Sequence, residues 1–242
     1  MPTTPPSQPP AQRRPGLIFG TVELCLRLLG LLFAALVFSI VLEFAGMLWF
    51  WPEQGWHHSH AMWQTELGWL SSHFKSSLLV QEPAQATAKI LEHLNDWVVV
   101  RSGWVQSDAY LKLLSREASL QGQFAQVYVV LQDYLLAALF TVFTFVVRLA
   151  VLTLAMPIFL LAVITGAVDG LIRRDLRKFG AGRESSFVYH RAKRTLPSLM
   201  VSPWVIYLSL PWSLNPNWVL LPCAVLLGWM VAITAATFKK YL

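Results

Sequence analysis

Four stretches of this chain are apolar enough, and long enough, to decide what it can become: residues 28–51, 134–171, 196–214 and 218–238. Crossing a bilayer takes roughly 20 consecutive apolar residues in a helix. Each stretch meets that length or approaches it, and 134–171 nearly doubles it. Composition agrees, with 55% hydrophobic and only 13% charged residues, where soluble domains carry about a quarter charged. The expectation is an all-α integral membrane protein with four transmembrane helices and a mostly helical periplasmic domain between the first and second.

The boundaries follow from punctuation. Residues 1–16 hold six prolines and no apolar period, so they bury too little surface to order and form a cytoplasmic tail. Residues 17–51 form the first helix, whose apolar core is too long for a cleaved signal peptide and which Pro52 ends. Residues 52–133 are polar enough for water, and Ala88, Leu91, Leu94 and Val98 recur at helical spacing within them. The run 134–171 would be about 57 Å long as one helix. Without a turn signal near Arg148 it is one span, kinked at Pro157 and rising out of the lipid at its start. Residues 172–195 form a basic loop, 196–214 the third span and 218–238 the fourth, with Asn215-Pro216-Asn217 as the turn between them. Residues 239–242 end the chain. Cys25 and Cys223 lie inside apolar runs, where thiols behave as small hydrophobes, and no disulfide framework is expected.

Charge sets the orientation. Residues 173–194, RRDLRKFGAGRESSFVYHRAKR, carry eight Lys or Arg and two acids. Residues 52–133 carry five basic and eight acidic residues. Loops rich in Lys and Arg stay in the cytoplasm. Arg13-Arg14 and Lys239-Lys240 place both ends on that same side. The basic segment, with Arg173, Arg174, Arg177, Lys178, Arg183, Arg191, Lys193 and Arg194, is therefore a topology signal that also suits anionic lipid headgroups. Gly180 and Gly182 with the aromatic pair Phe187 and Tyr189 point further, to a docking surface for a cytoplasmic partner. Direct nucleic-acid binding is not expected.

The motif DGLIRRDLRKFGAGRESSFVYHRAKR, together with WPEQGWHHSHAMWQTELGWL after the first span, resembles the integrating conjugative element membrane proteins. These are a bacterial family whose domain has no assigned biochemical function. The likeness runs from about residue 17 to the C-terminus. It implies an inner-membrane accessory or scaffold subunit of a conjugative, type IV secretion apparatus, with other membrane subunits and a coupling ATPase as partners. It supplies no catalytic residues.

Chemistry-bearing constellations are few. His57, His58 and His60 lie close in sequence, but adjacent histidines diverge on a helix, so no metal site is expected; the same holds with His73 and His93 added. Glu43 and Arg148 are ionisable residues inside apolar runs and functional suspects by default. The expectation is that they pair, or line one polar seam. Glu23 and Arg27 form a favourable i, i+4 pair with no chemistry assigned. Ala224, Gly228, Ala232 and Ala236 repeat every four residues, the spacing that lets helices approach closely; the hairpin partner with Ser202, Pro203 and Ser209, or a second copy in a homo-oligomer, would face them. Neither a nucleophile elbow nor a P-loop is present. An enzyme is not expected and no cofactor is implied. The rival reading is an oligomeric channel or transporter lined by Glu43 and Arg148.

Overall fold

The computed structural model describes residues 17–73, 81–101, 120–179 and 186–238, and every described element is helical. Helix α1 is Leu17–Trp49, α2 Trp56–His73 and α3 Gln81–Asn95, which continues into a π-helical segment, Asp96–Arg101. Then come α4 (Leu120–Leu154), α5 (Met156–Phe179), α6 (Ser186–Ser209) and α7 (Pro216–Ala236). Gly180, Gly182 and Arg183 lie outside the described residues, as do the tail 1–16 and Lys239-Lys240.

Among the described residues three helical stretches are long and apolar enough to cross a membrane: Gly20–Trp49, Gln121–Leu176 and Pro216–Ala236. The fourth expected span, 196–214, is not one of them. Its helix α6 starts ten residues earlier, in the basic segment, and Pro197 and Pro203 interrupt its apolar half. The 172–195 segment expected as a loop is thus helical on both sides of residues 180–185. Arg and Lys are good helix formers, which suits Arg173, Arg174, Arg177 and Lys178 to α5 and Arg191, Lys193 and Arg194 to α6. Arg177 and Lys178 end α5, while Phe187 and Tyr189 begin α6.

The middle stretch begins at Gln121 rather than at 134. Its 56 residues give about 84 Å at helical rise, against about 30 Å of hydrocarbon, so a bilayer could hold only about a third of its length. The break at Ala155 has a covalent cause. Pro157 has no N–H to donate and its ring crowds the preceding turn, so the ladder tightens to Ile158 N–H donating to Ala155 O at 3.0 Å.

The chain leaves α1 by a tight reversal. Gly46 has no side chain, which leaves room for the Trp51 indole to fold back onto α1. Gly55 takes a left-handed φ of +53°, a conformation glycine adopts without steric penalty. Helix α2 then runs lengthwise beside α4, Trp56 stacking on Phe140 and Trp63 meeting Phe140 and Phe143 further along. Trp56, Trp63, Leu67 and Leu70 share one buried cluster with Leu136, Phe140, Val147 and Tyr207. At the other end, α7 opens on Asn215, whose Oδ1 accepts from the Asn217 N–H at 3.1 Å, with Pro216 in the first turn. Pro is pre-shaped for that position.

Candidate functional site: a buried polar seam along helix α2

One face of α2 carries Ser59, Met62, Trp63, Glu66 and Leu70, all buried. Spacings of three and four put them on a single stripe, and two of them are polar. Each polar one meets an ionisable residue from a long apolar helix.

At the α1 end, the Ser59 hydroxyl donates to Glu43 Oε1 at 2.6 Å. His58 Nδ1 lies 3.0 Å from the same oxygen, and its ring stacks on Trp51 with centroids 3.9 Å apart. Glu43 is 1% exposed. Removing the serine hydroxyl would leave a buried carboxyl with one fewer donor. Ser59→Ala is expected to lower stability by about 1.5–3 kcal/mol, the usual worth of a hydrogen bond to a charged group. Thermal unfolding of the detergent-purified variant measures it, and an unchanged midpoint would show that the serine is incidental.

At the α4 end, Arg148 is 1% exposed and Glu66 likewise. The guanidinium grips the carboxylate in a fork: Nε donates to Oε2 at 2.9 Å and Oε1 at 3.0 Å, and Nη2 to Oε1 at 2.5 Å. Its remaining donors reach the chain between α6 and α7, Nη2 to Trp212 O at 2.9 Å and Nη1 to Leu210 O at 2.5 Å. Tyr207 places its ring 5.4 Å from the guanidinium carbon, a cation–π distance. Burial pushes the Glu66 carboxyl above the usual carboxylate range, and the hydrogen bonds and charge of Arg148 oppose that push. Arg is the residue for such a place because its planar donors can serve a carboxylate and two carbonyls at once.

The direct pair of Glu43 with Arg148 expected from the sequence is therefore corrected. Both are buried polar side chains in apolar helices, but each takes its partner from α2, seven residues apart on the stripe. The reason is that α2 packs along α4 and supplies its own acid. Glu66 escaped the sequence reading, although an acid at the centre of Ser59–Met62–Trp63–Leu67–Leu70 periodicity was a visible signal. The three histidines diverge: His57 leans on Trp56, His58 on Trp51, and His60 fits edge-on against Phe140. Burial, and secondly His57, hold the His60 pKa below its ordinary value.

The small residues of α7 do approach another backbone, but the close partner is α5. A Cβ on Gly166 would collide with the Gly228 carbonyl, and one on Gly170 with the Ala232 carbonyl. A Cβ on Gly228 would stand 2.9 Å from Ala162 O. Ala162, Gly166 and Gly170 repeat every four residues, a signal of this contact that is visible in the sequence. Ala224 is buried and also lines this α5–α7 groove, while Ala236 lies further along beside Arg173.

In the basic segment, Arg173 pairs with Asp169 at 2.9 Å, and Arg174 lies 5.9 Å from the Phe238 ring centre. Arg191, Lys193 and Arg194 are exposed on α6.

A family model described as IncC plasmid conjugative DNA transfer protein DtrJ-like matches residues 50–239. The chain belongs to the DtrJ-like family. The matched region takes in α2 with its polar stripe, Arg148, both glycine contacts and the basic segment, and leaves out the whole of α1, Glu43 included. DtrJ-like membership joins this chain to conjugative DNA transfer. No curated protein and no solved structure matches it.

Proposed function

We propose that this DtrJ-like protein is a non-catalytic scaffold or accessory subunit in the inner membrane, part of a type IV secretion apparatus for conjugation. In this reading α1, α4–α5, α6 and α7 make four passes. Both chain ends and the basic segment 173–194 face the cytoplasm, and the turn before α2 faces the periplasm. The basic segment docks a cytoplasmic partner such as the coupling ATPase. The narrower likeness to integrating conjugative element membrane proteins belongs to the same reading.

The family match carries this proposal. The charge asymmetry supports the sidedness. Helix α6 supports the fourth pass, since it packs beside α7 and the six residues 210–215 join the two as a hairpin. The seam supports a scaffold over a channel, because Arg148 spends its donors on protein acceptors rather than on a path for ions.

Two measurements test it. Alkaline phosphatase fused after Glu53 should be active and fused after Gly182 inactive; the reverse pattern would invert the layout. A photo-cross-linking amino acid at position 183, in cells carrying the whole transfer apparatus, should capture a cytoplasmic transfer ATPase. Efficient transfer without any adduct to a transfer component would remove the docking role.

A further inference from the structure

Helix α6 buries Ala192, Pro203, Tyr207 and Leu208. Another of its faces changes chemistry in sequence along its length. Arg191, Arg194, Thr195, Ser198, Val201 and Val205 lie on it, each three or four residues from another member of the stripe, and all are exposed except the half-buried Thr195. The stripe begins cationic, passes through two hydroxyl residues and ends aliphatic. His190, Arg191, Arg194, Thr195 and Ser198 line a groove of about 590 Å³. Among the described residues neither Arg191 nor Arg194 has an acidic partner.

From Arg191 to Val205 the helix rises about 21 Å, half of the roughly 40–45 Å of a bilayer with its headgroups. Headgroup, glycerol and acyl chain succeed one another over that same depth. A second groove, of about 380 Å³, is also lined by a cation and apolar residues: Arg173, Leu176, Ala232, Ile233 and Ala236. There, however, Arg173 is already tied to Asp169.

We propose that the α6 groove is a binding site for one anionic phospholipid. Arg191 and Arg194 hold the headgroup phosphate, with His190 beside it. The Ser198 hydroxyl meets the glycerol region, and an acyl chain lies along Val201 and Val205. Charge complementarity supplies the affinity, and the aliphatic continuation selects a lipid over a free phosphate. Nucleic acid would call for aromatic stacking platforms below the cations, where this stripe has valines. The proposal rests on α6 entering the membrane, but not on which side its cationic end faces or on any role in transfer. The fusion and cross-linking experiments above test those separately.

The test uses purified full-length protein and four probes: phosphatidylglycerol, phosphatidylcholine with the same chains, glycerol phosphate and a short single-stranded oligonucleotide. Displacement of fluorescent phosphatidylglycerol and native mass spectrometry of retained lipid are the readouts. Phosphatidylglycerol should bind about tenfold or more better than phosphatidylcholine. The double variant R191Q/R194Q should lose about 30-fold in affinity, on the basis of about fivefold per charge near an anionic surface. R191K/R194K should retain most of the binding, and R27Q, on α1 and paired with Glu23, should change nothing. If the double Gln variant loses helix content, the single variants R191Q and R194Q carry the comparison. Equal binding of the two lipids, or an unchanged R191Q/R194Q, would overturn the site. So would competition by glycerol phosphate as strong as by the lipid, which means a free-phosphate site. Displacement by the oligonucleotide at lower concentration than by the lipid would make it a nucleic-acid groove instead.

Discussion

Replacing Arg148 with methionine is expected to destabilise the protein by about 3–5 kcal/mol, the usual consequence of removing one member of a buried ion pair. Glu66 would keep its burial and lose every donor that now compensates it. The carbonyls of Leu210 and Trp212 would lose theirs as well, so α2 and the α6–α7 turn would both come loose from α4. The unfolding midpoint of purified protein should fall by more than about 6 °C, and less protein should accumulate in membranes. Glu66→Leu should behave as badly, because it strands the arginine. The double variant E66L/R148M is the discriminating case. Exchanging both partners for apolar residues of similar size is often neutral or better, so it should recover more than half of either single loss. What stays lost measures the two carbonyls. If the two single losses simply add in the double variant, the side chains are not coupled and the fork is not what fastens α2 to α4.

The sequence made the helices legible because lipid imposes a crude and strong rule: long apolar runs. Three of the four runs lie in helices long and apolar enough to span. The break at Pro157 was readable from proline's missing donor, and the cap at Asn215 from the turn residues around it. Helix α2 was harder. Trp56, Met62, Trp63, Leu67 and Leu70 sit among His57, His60, Gln64 and Thr65, so its average hydropathy reads as aqueous. What decides its place is one stripe, and a stripe shows only when polar residues on it are suspected of having buried partners. Glu43 and Arg148 were conspicuous because their surroundings are uniformly apolar. Glu66 was camouflaged by polar neighbours that point elsewhere. Conspicuousness points to a pair of Glu43 with Arg148, but α2 supplies a separate partner to each. No one-dimensional pattern encodes the path of α2 between α1 and α4. The basic segment shows the converse, since charge alone told which residues gather there but not that most of them extend two helices.

The contact between α5 and α7 offers a prediction that separates backbone approach from mere apolar packing. Gly166→Ala and Gly170→Ala each add one methyl group, and in each case that methyl meets a carbonyl of the facing helix rather than a side chain that could rotate away. Backbone cannot yield locally, so the two helices must part along several turns and lose close contact at Ala162, Ala224 and Ala232 together. Overfilling a packed interface costs about 1–3 kcal/mol, and here the upper end is expected, with Gly166→Leu beyond it. Gly20→Ala and Gly30→Ala are the controls, because a Cβ at either position has nothing within 4 Å. Alanine is also the better helix former by about 1 kcal/mol, so those variants should melt at or slightly above the parent midpoint. The four alanine variants change composition identically and differ only in what the new methyl meets. Should Gly166→Ala and Gly170→Ala melt together with Gly20→Ala and Gly30→Ala, the close crossing of α5 on α7 is not how this end of the protein is held.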